Sequence, residues 1–197
     1  YSLIRNCNLV IHEMKESDTD LAKSCYATAY AMRGVAYYNL MRLFCEPYNK
    51  EKAEEQLGLS IVTRFDMEAR PKRSSLKEIA TLIEEDFKKA ISYHSKSEIY
   101  RYTEDVVKAY LARLYFWTQN WEQAIPVAKE ILDAYPLVEG AVYTDMLSAR
   151  YAQQGNVLLR SYLLTSSSGD VNYNSAKGYL PVKPVSKRFI DLFEEKE

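Results

Sequence analysis

Two histidines, three cysteines and carboxylate pairs such as Glu84-Glu85 are the side chains in this 197-residue chain most apt for reactive chemistry. A general base needs its imidazole or carboxylate within hydrogen-bond reach of a nucleophile. His12 and His94 lie on separate predicted helices, and no nucleophile motif stands beside either. His94 closes a helix in the polar run SYHSKS, a position that favours positive charge, whereas His12 lies on a helix that reads as structural. Cys7, Cys25 and Cys45 are odd in number and lack CxxC spacing, so they support no zinc site. They read as small buried side chains, with a disulfide between two of them left open. Glu84 and Glu85 fall on a solvated helix face, where no desolvation lifts a carboxyl pKa. GxxxxGK[ST], HExxH and GxSxG are all absent. The expectation is a non-enzyme without catalytic residues, metal site or cofactor.

Binding chemistry is better represented. Seventeen tyrosines stand against six phenylalanines and two tryptophans. A tyrosine offers an apolar face and a polar tip, which suits either packing between helices or stacking under a sugar ring. Tyr143, Tyr173 and Tyr179 lie in the less regular part of the chain, and Asn172 and Asn174 flank Tyr173. An aromatic face beside amide donors and acceptors can hold a ring-shaped polar ligand. These five residues are the candidate ligand-binding set, with plain loop packing as the alternative for each. Trp117 and Trp121 flank a hairpin turn, where packing is the simpler reading still.

The elements that would carry such a platform are helical. The run Ala109 to Pro136 places Leu111, Leu114 and Tyr115 on one face, breaks at Gln119-Asn120, and resumes with Ala124, Val127, Ala128, Ile131 and Leu132. Small residues at a close helix crossing, a large aromatic beside them and a terminal proline make the tetratricopeptide pattern. Here Ala112, Tyr115, Ala124, Ala128 and Pro136 fill those roles. Asn120 is expected to cap the second helix through its side chain. Pro126 predicts a late helix start or a mild kink. Upstream, Tyr1 to Met14 and Leu21 to Phe44 read as helices, the second buried on more than one side along Tyr26, Ala29, Tyr30, Arg33, Gly34, Tyr37, Leu40, Met41 and Phe44. Residues 45–69 form a long irregular connection with an extended piece at Leu57 to Val62. Arg73 to Tyr93 opens on a Ser75–Glu78 capping box, buries Leu76, Ile79, Ile83, Phe87, Ala90 and Ile91, and leaves Glu84, Glu85, Lys88 and Lys89 wet. After Pro136 a short helix is expected within 137–152, an extended segment over 156–165, a loop over 166–178, and a last helical turn capped by Ser186.

Bulk properties set limits. Twenty-six Lys plus Arg against 27 Asp plus Glu give a net charge of -1, which argues against a nucleic-acid partner held by overall charge. No apolar run is long enough to cross a bilayer as a helix. The fold class expected is mainly all-α: tetratricopeptide-like hairpins with long irregular loops, wound as a right-handed repeat superhelix over a single domain, 1–197.

Several segments, in order, resemble the SusD/RagB family. YSLIRNCNLVI is similar to its early I-x-x-C-N helix. AMRGVAYYNLMRLFCEPY resembles its R-x-x-x-Y-Y-x-L-x-R-L-F-G-x-P-Y signature through Arg33, Tyr37, Tyr38, Leu40, Arg42, Leu43, Phe44, Pro47 and Tyr48. LGLSIVT, RPKRSSLKEIATLIEEDFKKAI, the hairpin and VKPVSKRFIDLFEEKE resemble the segments that follow. Cys45 replaces a usual glycine, Ser60 a common proline, and Ala80 lies near a usual tyrosine. The resemblance implies a cell-surface, outer-membrane lipoprotein that captures glycan or another nutrient for a SusC-like TonB-dependent transporter. Family members are longer, so it also implies a fragment truncated at both ends, with membrane attachment through a lipidated amino terminus not present in these residues. A generic tetratricopeptide-like scaffold for protein partners would explain the hairpin equally well, but not the ordered set.

Overall fold

The computed structural model describes residues 1–143 except 16, 65, 67, 69 and 96–101, together with residue 158 and strand residues 173–174 and 178–179. The chain divides into two compact units, Tyr1–Ser161 and Tyr162–Glu197. The first unit is a succession of helices, α1 (Ser2–Glu13), α2 (Asp20–Phe44), α3 (Leu76–Ile91), α4 (Glu104–Trp117) and α5 (Trp121–Ala134), with a two-stranded ribbon of β1 (Leu57–Ser60) and β2 (Arg73–Ser75) between α2 and α3. The described part of the second unit is a ribbon of β3 (Tyr173–Asn174) and β4 (Gly178–Tyr179), which but for Tyr179 lies within the stretch expected as plain loop.

Each helix of the first unit packs on its neighbour in sequence, and α2 also meets α4. That is the arrangement expected of stacked helical hairpins. The core runs along α2 and α3: Ala31, Val35, Tyr37, Met41, Leu76, Ile79, Ile83 and Phe87 are all buried. Small residues allow the approach. A Cβ on Gly34 would stand 2.6 Å from the Phe87 ring, so the α2–α3 crossing depends on glycine there. Gly58 is equally confined, its virtual Cβ 2.8 Å from the Ser75 carbonyl and 2.9 Å from Ile79. This locks β1 against the start of α3.

The Ser75–Glu78 capping box of α3 is reciprocal, as expected, and the structure adds Thr19 as the cap of α2 at the Ala22 amide and Thr103 as the cap of α4 at Val106. The irregular connection is a compact loop clasped by Gln56, whose amide donates to the Pro47 carbonyl at 2.9 Å and accepts from the Asn49 N–H at 2.9 Å.

Three expectations for the hairpin are corrected. Asn120 makes no side-chain cap, because its backbone (φ -94, ψ 70) lies outside the extended geometry that aims a cap. Gln119 instead adopts φ 58, the left-handed position glycine usually fills after a helix. The Asn120 N–H then donates to the Tyr115 carbonyl at 2.8 Å and the Gln119 N–H to Phe116 at 3.2 Å, closing α4 through the backbone. Second, α5 does not start late: it begins at once at Trp121 and runs through Pro126. Pro126 is exposed, so water can solvate the Glu122 carbonyl that it leaves without a helical donor. Third, of the expected α5 stripe only Ala124 is buried, and Leu132 is 49% exposed. Among the described elements α5 packs on α4 alone, so its other side has no partner there.

Along α2, Phe44 is 68% exposed rather than packed, because the stripe's buried part ends at Met41. Residues 140–143 are helical, as expected for the start of a short helix after Pro136. The expected segment 156–165, apart from residue 158, and the helical turn after Ser186 lie outside the described residues.

Candidate functional site

The residues with reactive potential are dispersed and tied to structural partners. His12 Nε2 lies 2.8 Å from the Thr63 carbonyl, and His94 Nδ1 lies 2.8 Å from Glu104 Oε2. His94 itself has φ 47, at the turn that leaves α3. The three cysteines are free thiols; burial pushes the Cys7 and Cys45 thiols up, away from thiolate. Glu84 is not simply wet: it accepts from the Tyr115 hydroxyl at 2.8 Å and pairs with Lys88 at 2.6 Å. Among the described residues no group of three His, Cys, Asp or Glu side chains could hold a metal.

The strongest polar assembly is one that the sequence did not single out. Arg33 on α2 donates through Nε and Nη2 to both oxygens of Asp86 on α3, at 2.8 and 2.6 Å, and through Nη1 to Asn8 Oδ1 on α1 at 2.9 Å. Asn8 passes the chain on to the Val62 carbonyl at 2.8 Å, and the Val62 N–H donates to the Tyr37 hydroxyl at 2.7 Å. Burial pushes the Asp86 carboxyl up from its ordinary value, and the Arg33 hydrogen bonds and charge pull it back. Burial works against the Arg33 cation too, but the bonds to Asp86 outweigh it and raise its pKa. Arg33, Asp86, Asn8 and Tyr37 are all buried, so this knot fixes α1, α2, α3 and the 61–63 segment together and lies out of a ligand's reach. The signal that could have found it is an arginine on a buried stripe, which requires a buried acid.

A ligand-sized space opens where α2 and α3 flank the α1–α2 turn. A cavity of about 540 Å³ is lined by Tyr26, Tyr30 and Tyr93, with Ser17, Asp18, Lys23 and Lys89 also at its walls. The rings are aligned: Tyr26 and Tyr93 lie 5.7 Å apart at 13°, and Tyr30 and Tyr93 lie 6.2 Å apart at 22°. Tyr26 is clamped by its hydroxyl, which donates to the Met14 carbonyl at 2.7 Å. Lys89 Nζ stands 5.3 Å from the centre of the Tyr93 ring, and Lys23 pairs with Asp18 at 2.5 Å. Burial, with Tyr93 next to it, pushes the Tyr30 phenol up, so it stays a neutral donor at physiological pH. An aromatic wall with hydroxyl, carboxylate and ammonium groups around it can take a ligand with one apolar face and polar edges.

Of the five residues expected to bind ligand, Tyr143 is 52% exposed at the end of residues 140–143, in the first unit. Tyr173 and Tyr179 are register partners across the β3–β4 ribbon, and Asn174 is the register partner of Gly178. The ribbon thus brings Tyr173 and Tyr179 opposite each other, about 4.5–5.5 Å apart at the backbone by antiparallel geometry. Asn172 lies outside the described residues. Trp121 meets Phe116 edge-on at 5.2 Å across the hairpin turn, and both rings remain largely exposed.

Comparison with known proteins is consistent in kind. A SusD-like family model, described as starch-binding associating with outer membrane, matches residues 1–116. A SusD superfamily protein from Bacteroides thetaiotaomicron VPI-5482 superposes with a TM-score of 0.67 at 25% identity, over 74% of this chain and 34% of that one. A SusD-like carbohydrate binding protein from Bacteroides vulgatus ATCC 8482 gives 0.61 at 20% identity, over 73% and 32%. A laminarin binding SusD-like protein gives 0.53 at 18% identity, over 70% and 29%. The chain spans about a third of the length of the solved relatives it matches. No curated protein matches it.

Proposed function

The chain belongs to the SusD-like family, and from that premise we propose that it binds glycan at the outer face of the outer membrane and delivers it to a SusC-like TonB-dependent transporter. The observation that carries the glycan reading is the tyrosine-walled cavity beside α2 and α3. The C–H-bearing face of a pyranose is apolar and weakly positive, which complements the negative face of an aromatic ring. Its hydroxyls can bond at the edge to Ser17, Asp18, Lys23 and Lys89. A cavity of this size falls within the range of small-ligand sites. Nothing in this chemistry requires turnover, so the role is capture by a rigid helical body rather than catalysis.

Tyr173, Asn174 and Tyr179 form in this reading a further sugar platform on the β3–β4 ribbon, Asn172 next to them in sequence is a further candidate contact, and Tyr143 is a separate exposed aromatic candidate in the first unit. Calorimetric titration of the full chain with a panel of neutral oligosaccharides tests the proposal. Tyr30→Ala and Tyr93→Ala are each expected to weaken binding by roughly threefold to tenfold. Retained helical circular dichroism would show that the loss is local. Unchanged affinity in both variants would remove the cavity as a glycan site. For the partner, co-purification from an outer-membrane extract should recover a TonB-dependent transporter; recovery of cytosolic chaperones instead would favour the generic scaffold.

A further inference from the structure

Where α2 meets α4, two arginines are interleaved with aromatic rings. The Arg42 guanidinium lies 5.4 Å from the centre of Tyr38 and 5.3 Å from that of Trp117. The Arg113 guanidinium lies 5.7 Å from both Tyr38 and Tyr110. Tyr38 and Tyr110 in turn meet edge-on at 6.5 Å. The spacing produces this directly, since Tyr38 and Arg42 are one helical turn apart on α2, and Tyr110, Arg113 and Trp117 share one face of α4. Both arginines are exposed, and the rings beneath them are buried or half-buried.

The use of these two cations is incomplete. Arg33, which is buried, spends its fork on Asp86 and Asn8. Arg42 and Arg113 make no hydrogen bond or ion pair with any of the described residues. Position near the carboxy end of α2 accounts for a positive charge at 42, and ring contact accounts for the flat pose. Neither engages the N–H groups, which lie in the guanidinium plane and remain available when a ring covers its face. Tyr38, only 3% exposed, has a hydroxyl that likewise finds no hydrogen bond among the described residues. The face therefore presents two pre-positioned planar forks about a shared ring, with a buried hydroxyl left over.

We propose that the α2–α4 face binds an oligosaccharide that carries carboxylates, with Arg42 and Arg113 each gripping a carboxylate through the guanidinium edge. The proposal rests on the glycan reading above and adds the charge class of the ligand. A carboxylate matches the two parallel N–H donors of a guanidinium, and rings that already hold the arginines lower the ordering cost of binding. An uncharged sugar offers nothing that this geometry needs.

Titration of the full chain with oligogalacturonate, with a neutral malto-oligosaccharide and with an oligoglutamate peptide tests it. Oligogalacturonate should bind, more weakly as salt rises. Arg42→Gln and Arg113→Gln should each weaken that binding about tenfold while leaving the neutral sugar unaffected. Arg42→Lys keeps the charge and loses the fork, and should recover only part of the affinity; its intact fold also separates loss of binding from loss of structure. Oligogalacturonate affinity that survives both Gln variants overturns the proposal, as does equal or tighter binding of oligoglutamate at the same residues. Binding of the neutral sugar alone overturns it while sparing the glycan reading, whereas no binding of either sugar overturns both.

Discussion

Replacing Arg33 alone leaves the Asp86 carboxylate and the Asn8 amide oxygen buried with no donor between them. Removal of one partner from a buried ion pair costs about 3–5 kcal/mol, far more than the pair contributes over an apolar substitute of similar shape. Arg33→Met should therefore lower the urea-unfolding free energy by about 3–5 kcal/mol. Arg33→Met combined with Asp86→Leu should lose much less, and a double variant as unstable as the single one would refute this account. Arg33 was legible as a stripe residue of α2, but its role was not. Asp86 lies 53 positions away and Asn8 lies 25 away, on two other helices, and no local pattern pairs them. Gln119 shows the same limit on a smaller scale. Its left-handed backbone closes α4, yet its side chain gives none of the warning that glycine or asparagine would give.

At the scale of elements, the α3–α4 seam carries a titratable link. The Tyr115 phenol is pushed up to about 12 from an ordinary value of 10.0, first by burial and then by its hydrogen bond to Glu84. The folded state thus keeps a proton that the unfolded chain releases sooner. The stabilisation is complete below about pH 10, declines as pH rises, and is gone above about pH 12. Lys88 and Lys108, whose pKa values are raised by their bonds to Glu84 and to Glu130 and Glu104, lose stabilisation on the same alkaline side. Denaturant titrations of Tyr115→Phe and of the parent should therefore diverge less at pH 11.5 than at pH 9, with the difference shrinking across that window. Among the elements themselves, α3 was the most legible because its capping box and its stripe are both local. The β1–β2 ribbon was half legible: Leu57 to Val62 read as extended, but Arg73–Ser75 read as the start of a helix. They pair instead because Gly58 lets β1 lie against their carbonyls and Arg73 donates to the Gly58 carbonyl at 2.7 Å.

Over the first unit as a whole, burial is graded along the helical stack. α2 and α3 hold most of the large buried side chains, whereas α5 buries only Ala124. Local opening free energies follow such gradients. Amide hydrogen exchange should be slowest in α2 and α3, intermediate in α4 and fastest in α5, and slow exchange throughout α5 would contradict this order. The exposed apolar side chains Trp121, Ile125 and Leu132 explain why α5 looked core-like from its sequence. Periodicity reports that a helix has an apolar face, but not whether a neighbour covers it.

Helix identity, the capping box of α3, the hairpin and the family resemblance were all determined by the sequence, because each rests on contacts within a few turns or on an ordered set of motifs. Only the tertiary structure decided which tyrosines share a surface. Tyr26 and Tyr30 read as core positions and Tyr93 as a helix end, yet the α2–α3 crossing lines them along one cavity. The same holds for Arg42 and Arg113, two unremarkable charges on separate helices until α2 meets α4 and places both beside Tyr38. A binding surface of this kind is a matter of distances between helices, and those distances are set by packing around Gly34 and the Arg33–Asp86 pair, not by spacing along any one segment.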